Sequence, residues 1–123
     1  MGRGSIDEYF MKKINSRAKG ARGERELASF LTDQGFPAKR GVQFSQGKHG
    51  LTENDVVCES LPLHIECKRV EAGNPYTWLE QAARDAKNNE IPVVFHKRND
   101  RPWVVILSAE DFMAVLRESS LVK

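Results

Sequence analysis

Two rhythms of apolar and polar residues divide the chain, and the shorter one falls between residues 53 and 69. Val56, Val57 and Cys58 form one β-rich run and Leu63, His64, Ile65, Glu66 and Cys67 another, with Ser60, Leu61 and Pro62 between them. This predicts two antiparallel strands joined by a tight turn. With Ser60 and Leu61 at the tip, Val57 falls opposite His64 and Asp55 opposite Glu66, and opposed residues share a face. Lys68 then joins Asp55 and Glu66, whereas Val56, Cys58, Leu63, Ile65 and Cys67 make the other face wholly apolar. The expectation is one face for the core and the other for a site.

The longer rhythm is helical. Leu27, Phe30 and Leu31 recur at helical spacing with Ala21 and Ala28 beside them, and Gly35 supplies a stop, so a helix is predicted over 18–34. At 100° per residue its apolar set centres roughly 50° from Glu24 and about 110° from Glu26. Glu24 therefore leans toward the core edge and Glu26 toward solvent; for either, pairing with Arg22 or Arg25 at the surface is the plainer reading. Residues 1–16 show no persistent period and read as a flexible N-terminal arm, with room for a short helix around 6–14. Residues 17–123 read as a single domain.

The remaining segments complete an α/β pattern. A strand is expected over 36–44, with Arg40 in phase with its apolar residues, and then a polar, glycine-rich mobile loop over 45–52 carrying Lys48 and His49. Helix returns over 76–89 on a stripe of Trp78, Leu79, Ala82, Ala83 and Ala86. Strands over 93–96 and 103–107 are near-continuously apolar, which predicts cover on both faces. Ser108 and Asp111 resemble a helix-start box before a closing stripe of Phe112, Val115 and Leu116. The order is helix, three strands, helix, two strands, helix.

Composition narrows the picture. At 123 residues and 40% hydrophobic, the chain suits one core and is too short for two ordinary domains. No apolar run approaches a membrane span and no charged-then-apolar leader opens the sequence, so a cytoplasmic protein without membrane contact is expected. Cys58 and Cys67 share the expected core face and read as buried thiols. Residues 1–48 carry 10 Lys and Arg against 5 Asp and Glu, and residues 49–123 carry 9 against 12. That asymmetry is compatible with a basic surface for nucleic-acid phosphate.

Two carboxylates opposed at about 5 Å repel unless a cation holds them. Hard oxygen ligands favour Mg²⁺, with Mn²⁺ as a substitute, over zinc. Asp55 and Glu66 are the candidate ligands, the carbonyl of Cys67 a further one, and Lys68, on their face, is placed to orient a water or stabilise developing negative charge.

Asp55, a gap of ten residues and then Glu66-Cys67-Lys68 resembles the D-(x)n-(D/E)-x-K signature of the PD-(D/E)XK restriction-endonuclease-like nucleases, with Asn54 where a proline usually precedes the first Asp. Lys19-Gly20-x-x-x-Glu24-Arg25-Glu26-Leu27, followed by Gly35-Phe36-x-x-x-Arg40, is similar to the opening of the archaeal-type Holliday junction resolvases within that superfamily. The resemblance implies an αβββαβ core with a central mixed sheet flanked by helices. It also implies that Glu24 belongs to the active site and the metal set, that Arg25 and Arg40 bind DNA or support catalysis, and that Ser45 lies on a loop approaching DNA. Lys19, Arg22, Lys39, Lys48 and Arg69 are further candidates for tracking phosphates, and Gln81 sits where related nucleases place a polar helix residue.

The function expected on this basis is metal-dependent cleavage of four-way DNA junctions by a homodimer. Another PD-(D/E)XK nuclease for nicking, repair or end processing is the alternative, and a DNA-binding module without catalysis a third.

Overall fold

A computed structural model describes residues 2–41 and 55–123, with side chains from residue 18 onward. Its elements are α1 (Gly2–Asp33), β1 (Lys39–Arg40), β2 (Val56–Val57), β3 (Leu63–Lys68), α2 (Pro75–Asp85), β4 (Ile91–His96), β5 (Val104–Ile106) and α3 (Ala109–Arg117). The strands form one mixed sheet in the order β1-β2-β3-β4-β5. Among the described strands only the β3–β4 pair is parallel, joined by α2 as a crossover. The expected helix and strand order is the observed one, an α/β restriction-endonuclease-like arrangement.

The helix expected over 18–34 is the C-terminal half of α1, which begins at Gly2 and so includes most of the segment read as an arm. Its end is built by Gly35, whose φ of +101° lets the chain reverse. The Phe36 amide then donates to the Leu31 carbonyl at 2.9 Å, and the Gly35 amide to that of Thr32 at 3.0 Å. Leu27, Ala28 and Leu31 are thereby held on the sheet against Val56, Cys58, Ile65, Val93 and Phe95, which form the main core. Gly23 permits the close approach of helix and strand, because a Cβ there would lie 2.6 Å from Cβ of Arg69.

The opposite face of the sheet is also core, a correction to the expectation that it would serve only as a site. Trp78 and Ala82 of α2 pack there on Val94, with Val70, Leu79 and Ile106 around them. Asn74 caps α2 by accepting the Tyr76 amide at 2.9 Å, and Pro75 follows as its first residue. Gly73, at φ +153°, lies so close to the Trp78 ring that a Cβ would overlap it.

Other boundaries moved as well. Within the described residues the first strand is only Lys39–Arg40, and α2 stops at Asp85, where Ala86 turns extended ahead of the poor helix formers Asn88 and Asn89. The strand expected over 103–107 is not covered on both faces: among the described strands β5 lies at the sheet edge beside β4, and Val104 and Val105 are exposed. Ser108 does cap α3, accepting the Asp111 amide at 3.0 Å, but Phe112 and Val115 remain exposed and no residue of α3 is buried.

Candidate active site

The hairpin register places the two central carboxylates. Val56 pairs with Ile65, the register that puts Asp55 level with Glu66. Asp55 lies just before β2 and departs from the regular ladder: its amide donates to the Ile65 carbonyl at 3.0 Å. Its Oδ2 accepts the Cys67 amide at 2.8 Å. A strand residue's N–H and C=O leave the strand on the same side, so the Cys67 carbonyl also faces the Asp55 side. The Lys68 carbonyl, one residue on, faces β4 and accepts the Lys97 amide.

Glu66 is nearly fully buried on the α2 face, only 3% exposed. Its Oε2 lies 3.0 Å from Nε2 of His64, two residues back on the same face and equally enclosed. Glu90 Oε1 lies 3.8 Å from the other ring nitrogen, and Asp85 comes in from the end of α2. Burial alone would lower the affinity of His64 for its proton, but the hydrogen bond and charge of Glu66, with Glu90 and Asp85 behind them, raise it above the ordinary value. Lys68 follows on the same face, its Nζ 3.5 Å from Oε1 of Gln81 on α2. That distance is at the long limit for a hydrogen bond.

Glu24 approaches Asp55 from α1. It is the more enclosed of the two helix glutamates, its side chain 15% exposed against 41% for Glu26. Arg40 Nε donates to Glu24 Oε1 at 2.8 Å. The pKa of Asp55 rises from 3.8 to about 7, first through burial and then through repulsion by Glu66 and Glu24, against the opposing Cys67 amide and Lys68 charge. Among the described residues, the acidic and histidine donors that come within 4.8 Å of one another are those of His64, Glu66 and Asp85. Glu66 and Glu24 nevertheless lie near enough to act electrostatically on Asp55, and carboxylates with the Cys67 carbonyl are a set of donors of the type a hard divalent cation takes. The Cys67 sulfur does not belong to that set: burial first, then the charges of Asp55, Glu24 and Glu26, push its thiol up to about 12.

The basic candidates separate into two groups. Arg25, Lys39 and Arg40 border one open groove, with Ser29, Thr32 and Asp33 on its floor and walls. Lys19, Arg22 and Arg69 border another, beside Gly23, Glu26 and Asn99. Arg69 is engaged by protein: it donates to Glu26 at 2.9 Å and to Asn99 at 3.1 Å. Ser45 and Lys48 lie outside the described residues. The sequence reading gave no role to His64, Asp85 or Glu90. Strand alternation did carry a signal for His64, which shares a face with Glu66 at a spacing of two.

A family model described as "Phage putative PDDEXK endonuclease" matches residues 15–122. No curated protein and no solved structure matches the chain.

Proposed function

The chain belongs to this phage PDDEXK endonuclease family, and from that premise we propose that it is a metal-dependent DNA endonuclease that hydrolyses phosphodiesters in four-way junctions, with Asp55, Glu66 and Lys68 at its centre. What supports the reading is that the charges of Glu24, Glu66 and Lys68 all act on Asp55. Glu24 favours the junction-cleaving type, since it belongs to the E-R-E run that resembles the resolvases.

Asp55, Glu66 and the Cys67 carbonyl would hold Mg²⁺, with Mn²⁺ as a substitute and Glu24 reaching the same region. When bound, the ion lowers the pKa of a water and neutralises charge on the phosphoryl oxygens. The chain's own residues do the rest. Lys68 offers its ammonium to the charge that develops as water attacks phosphorus, and Gln81 steadies it. Arg25, Lys39 and Arg40 take the neighbouring phosphates, which positions DNA without reading its bases.

Two strands must be cut to resolve a junction, so the active form is a homodimer. Val104, Val105, Phe112, Met113 and Val115 are apolar and exposed on β5 and α3 and supply a surface for that pairing. A second reading, another PD-(D/E)XK nuclease for nicking, repair or end processing, is equally consistent with the family description. The deciding experiment compares strand cleavage of a synthetic four-way junction with its matched linear duplex, with Mg²⁺ and with chelator. Symmetric Mg²⁺-dependent nicks on the junction alone are expected; equal cutting of both substrates moves the assignment to the second reading, and binding without cutting to a non-catalytic module.

A further inference from the structure

The flank of Glu66 away from Asp55 carries its own ligand set. One donor atom from each of His64, Glu66 and Asp85 lies within 4.8 Å of the other two. Two of them come from one strand face and the third from the end of α2, so the cluster exists because the crossover helix ends above β3. We propose that His64, Asp85 and Glu66 form a second divalent-cation position, adjoining the one at Asp55 and selective for ions that accept nitrogen, Zn²⁺ above all. The inference shares Glu66 with the reading above but does not need junction cleavage to be correct.

Three observations carry it. The first is the ring's orientation: Glu90 lies on the Nδ1 side, which leaves Nε2 facing the cluster. Metal-binding imidazoles are commonly held and made more basic by a carboxylate at the outer nitrogen; Glu90 stands on that side at 3.8 Å, close enough to act by charge but not to hydrogen-bond. The second is the spacing. Zinc bonds of about 2.0–2.2 Å at tetrahedral angles set ligand atoms roughly 3.3 Å apart. Nε2 and Oε2 already stand 3.0 Å apart, so an ion enters with a separation of a few tenths of an ångström. Asp85 is part-exposed at a helix end, and its donor atom lies within 4.8 Å of the other two, so the proposal requires it to close the remaining distance by a rotamer change.

The third is charge. Glu66 and His64 are buried, and Asp85 and Glu90 add two more carboxylates around one imidazole. Buried charge is costly unless compensated, and a dication compensates it better than a single proton on His64. The part-exposed carboxylates of Asp85 and Glu90 mark the side from which an ion reaches Glu66. Imidazole in the set separates this position from the all-oxygen one, which suits Mg²⁺.

The test uses the full chain, with Zn²⁺ and Mg²⁺ as probes, followed by ¹⁵N NMR of the histidine rings and by calorimetry. Zn²⁺, and not Mg²⁺, is expected to shift the ring nitrogens of one histidine, identified by its loss in His64→Gln. Asp85→Asn, at a part-exposed position that tolerates an isostere, is expected to weaken Zn²⁺ binding by more than about tenfold, the smallest loss usual even for an outer partner. Asp55→Asn is expected to retain the ring shift, whatever its cleavage of DNA, so the fate of this position is read apart from that of the nuclease assignment. An unmoved His64 ring, Zn²⁺ binding as tight in Asp85→Asn as in the parent, or loss of the shift in Asp55→Asn would each overturn the proposal.

Discussion

Arg40 and Glu24 meet at 2.8 Å across the joint between β1 and α1. The residue proposed to receive a DNA phosphate thus holds the carboxylate whose charge acts on Asp55. If Glu24 acts at the active site, Glu24→Ala should cut cleavage far more than Glu26→Ala, whose partners are Arg69 and Lys97 at the outer surface. Arg40→Ala should weaken binding or cleavage. Single-turnover cleavage of the junction checks all three; the reverse order for the two glutamates would show that the wrong helix face had been assigned.

Asp55→Ala, Glu66→Ala and Lys68→Ala should each lower cleavage by at least about 10²-fold, the scale seen when one transition-state partner is removed. Junction binding should change little if, as proposed, it rests on phosphate contacts of Arg25, Lys39 and Arg40. Gel-shift and cleavage assays on the same preparations separate the two effects. Unimpaired cutting by Asp55→Ala would refute the site.

The raised pKa of Asp55 gives a pH dependence with a definite sign. The folded value, about 7, lies above the ordinary 3.8, so between these values the folded state keeps a proton that the unfolded state has lost. The contribution is fully present below 3.8, and stability from this group falls as pH rises toward 7 in metal-free protein. Mg²⁺ needs the ionised carboxylate, so its binding should tighten from pH 6 to 8 and release a proton at pH 6. Calorimetry in two buffers of different ionisation enthalpy measures that release; no proton release would contradict the assignment of Asp55 as a ligand.

Gly20 and Gly23 sit one helical turn apart and should respond oppositely to alanine. Nothing lies within 4 Å of a Cβ at Gly20, so Gly20→Ala should gain up to about 1 kcal/mol from helix propensity. At Gly23 the added carbon meets Arg69 Cβ at 2.6 Å, and overpacking of this kind costs about 1–3 kcal/mol. Urea denaturation of both variants tests the pair; stabilisation by Gly23→Ala would mean that α1 and the end of β3 are not so closely apposed.

Phe112 on α3 and Val105 on β5 are about half exposed. Charged residues there should disfavour the proposed homodimer with little loss of fold. Light scattering of Phe112→Glu and Val105→Lys is expected to give a monomer, and a dimer unaffected by both would place the interface elsewhere.

Much of this was legible in the sequence because it is local. The hairpin register follows from alternation about Ser60 and Leu61, the end of α1 from Gly35, and the start of α3 from Ser108. The different exposures of Glu24 and Glu26 follow from helix geometry alone. What stayed hidden depends on pairing at a distance. His64 acquires Asp85 and Glu90 as neighbours only after α2 has crossed over and β4 has docked in parallel beside β3. The stripe on α3 told which side chains could be buried, but an amphipathic pattern does not say whether anything covers it. The engagement of Arg69 by Glu26 and Asn99 likewise could not be read from a basic residue's position in the chain.

The spacing of these contacts along the chain bears on how the protein comes to be folded. The bond from Cys67 to Asp55 spans 12 positions and that from Lys68 to Gln81 spans 13, whereas the Arg69 bond to Glu26 spans 43. Short loops close at lower entropic cost. The acidic centre therefore lies on a single short-range segment that should gather first, with α1 delivering Glu24 afterwards. In pulse-labelled refolding, the Asp55 and Cys67 amides should gain protection before the Ile91 and Lys97 amides, whose acceptors on Pro62 and Lys68 are much farther back along the chain. Simultaneous protection would indicate one concerted step.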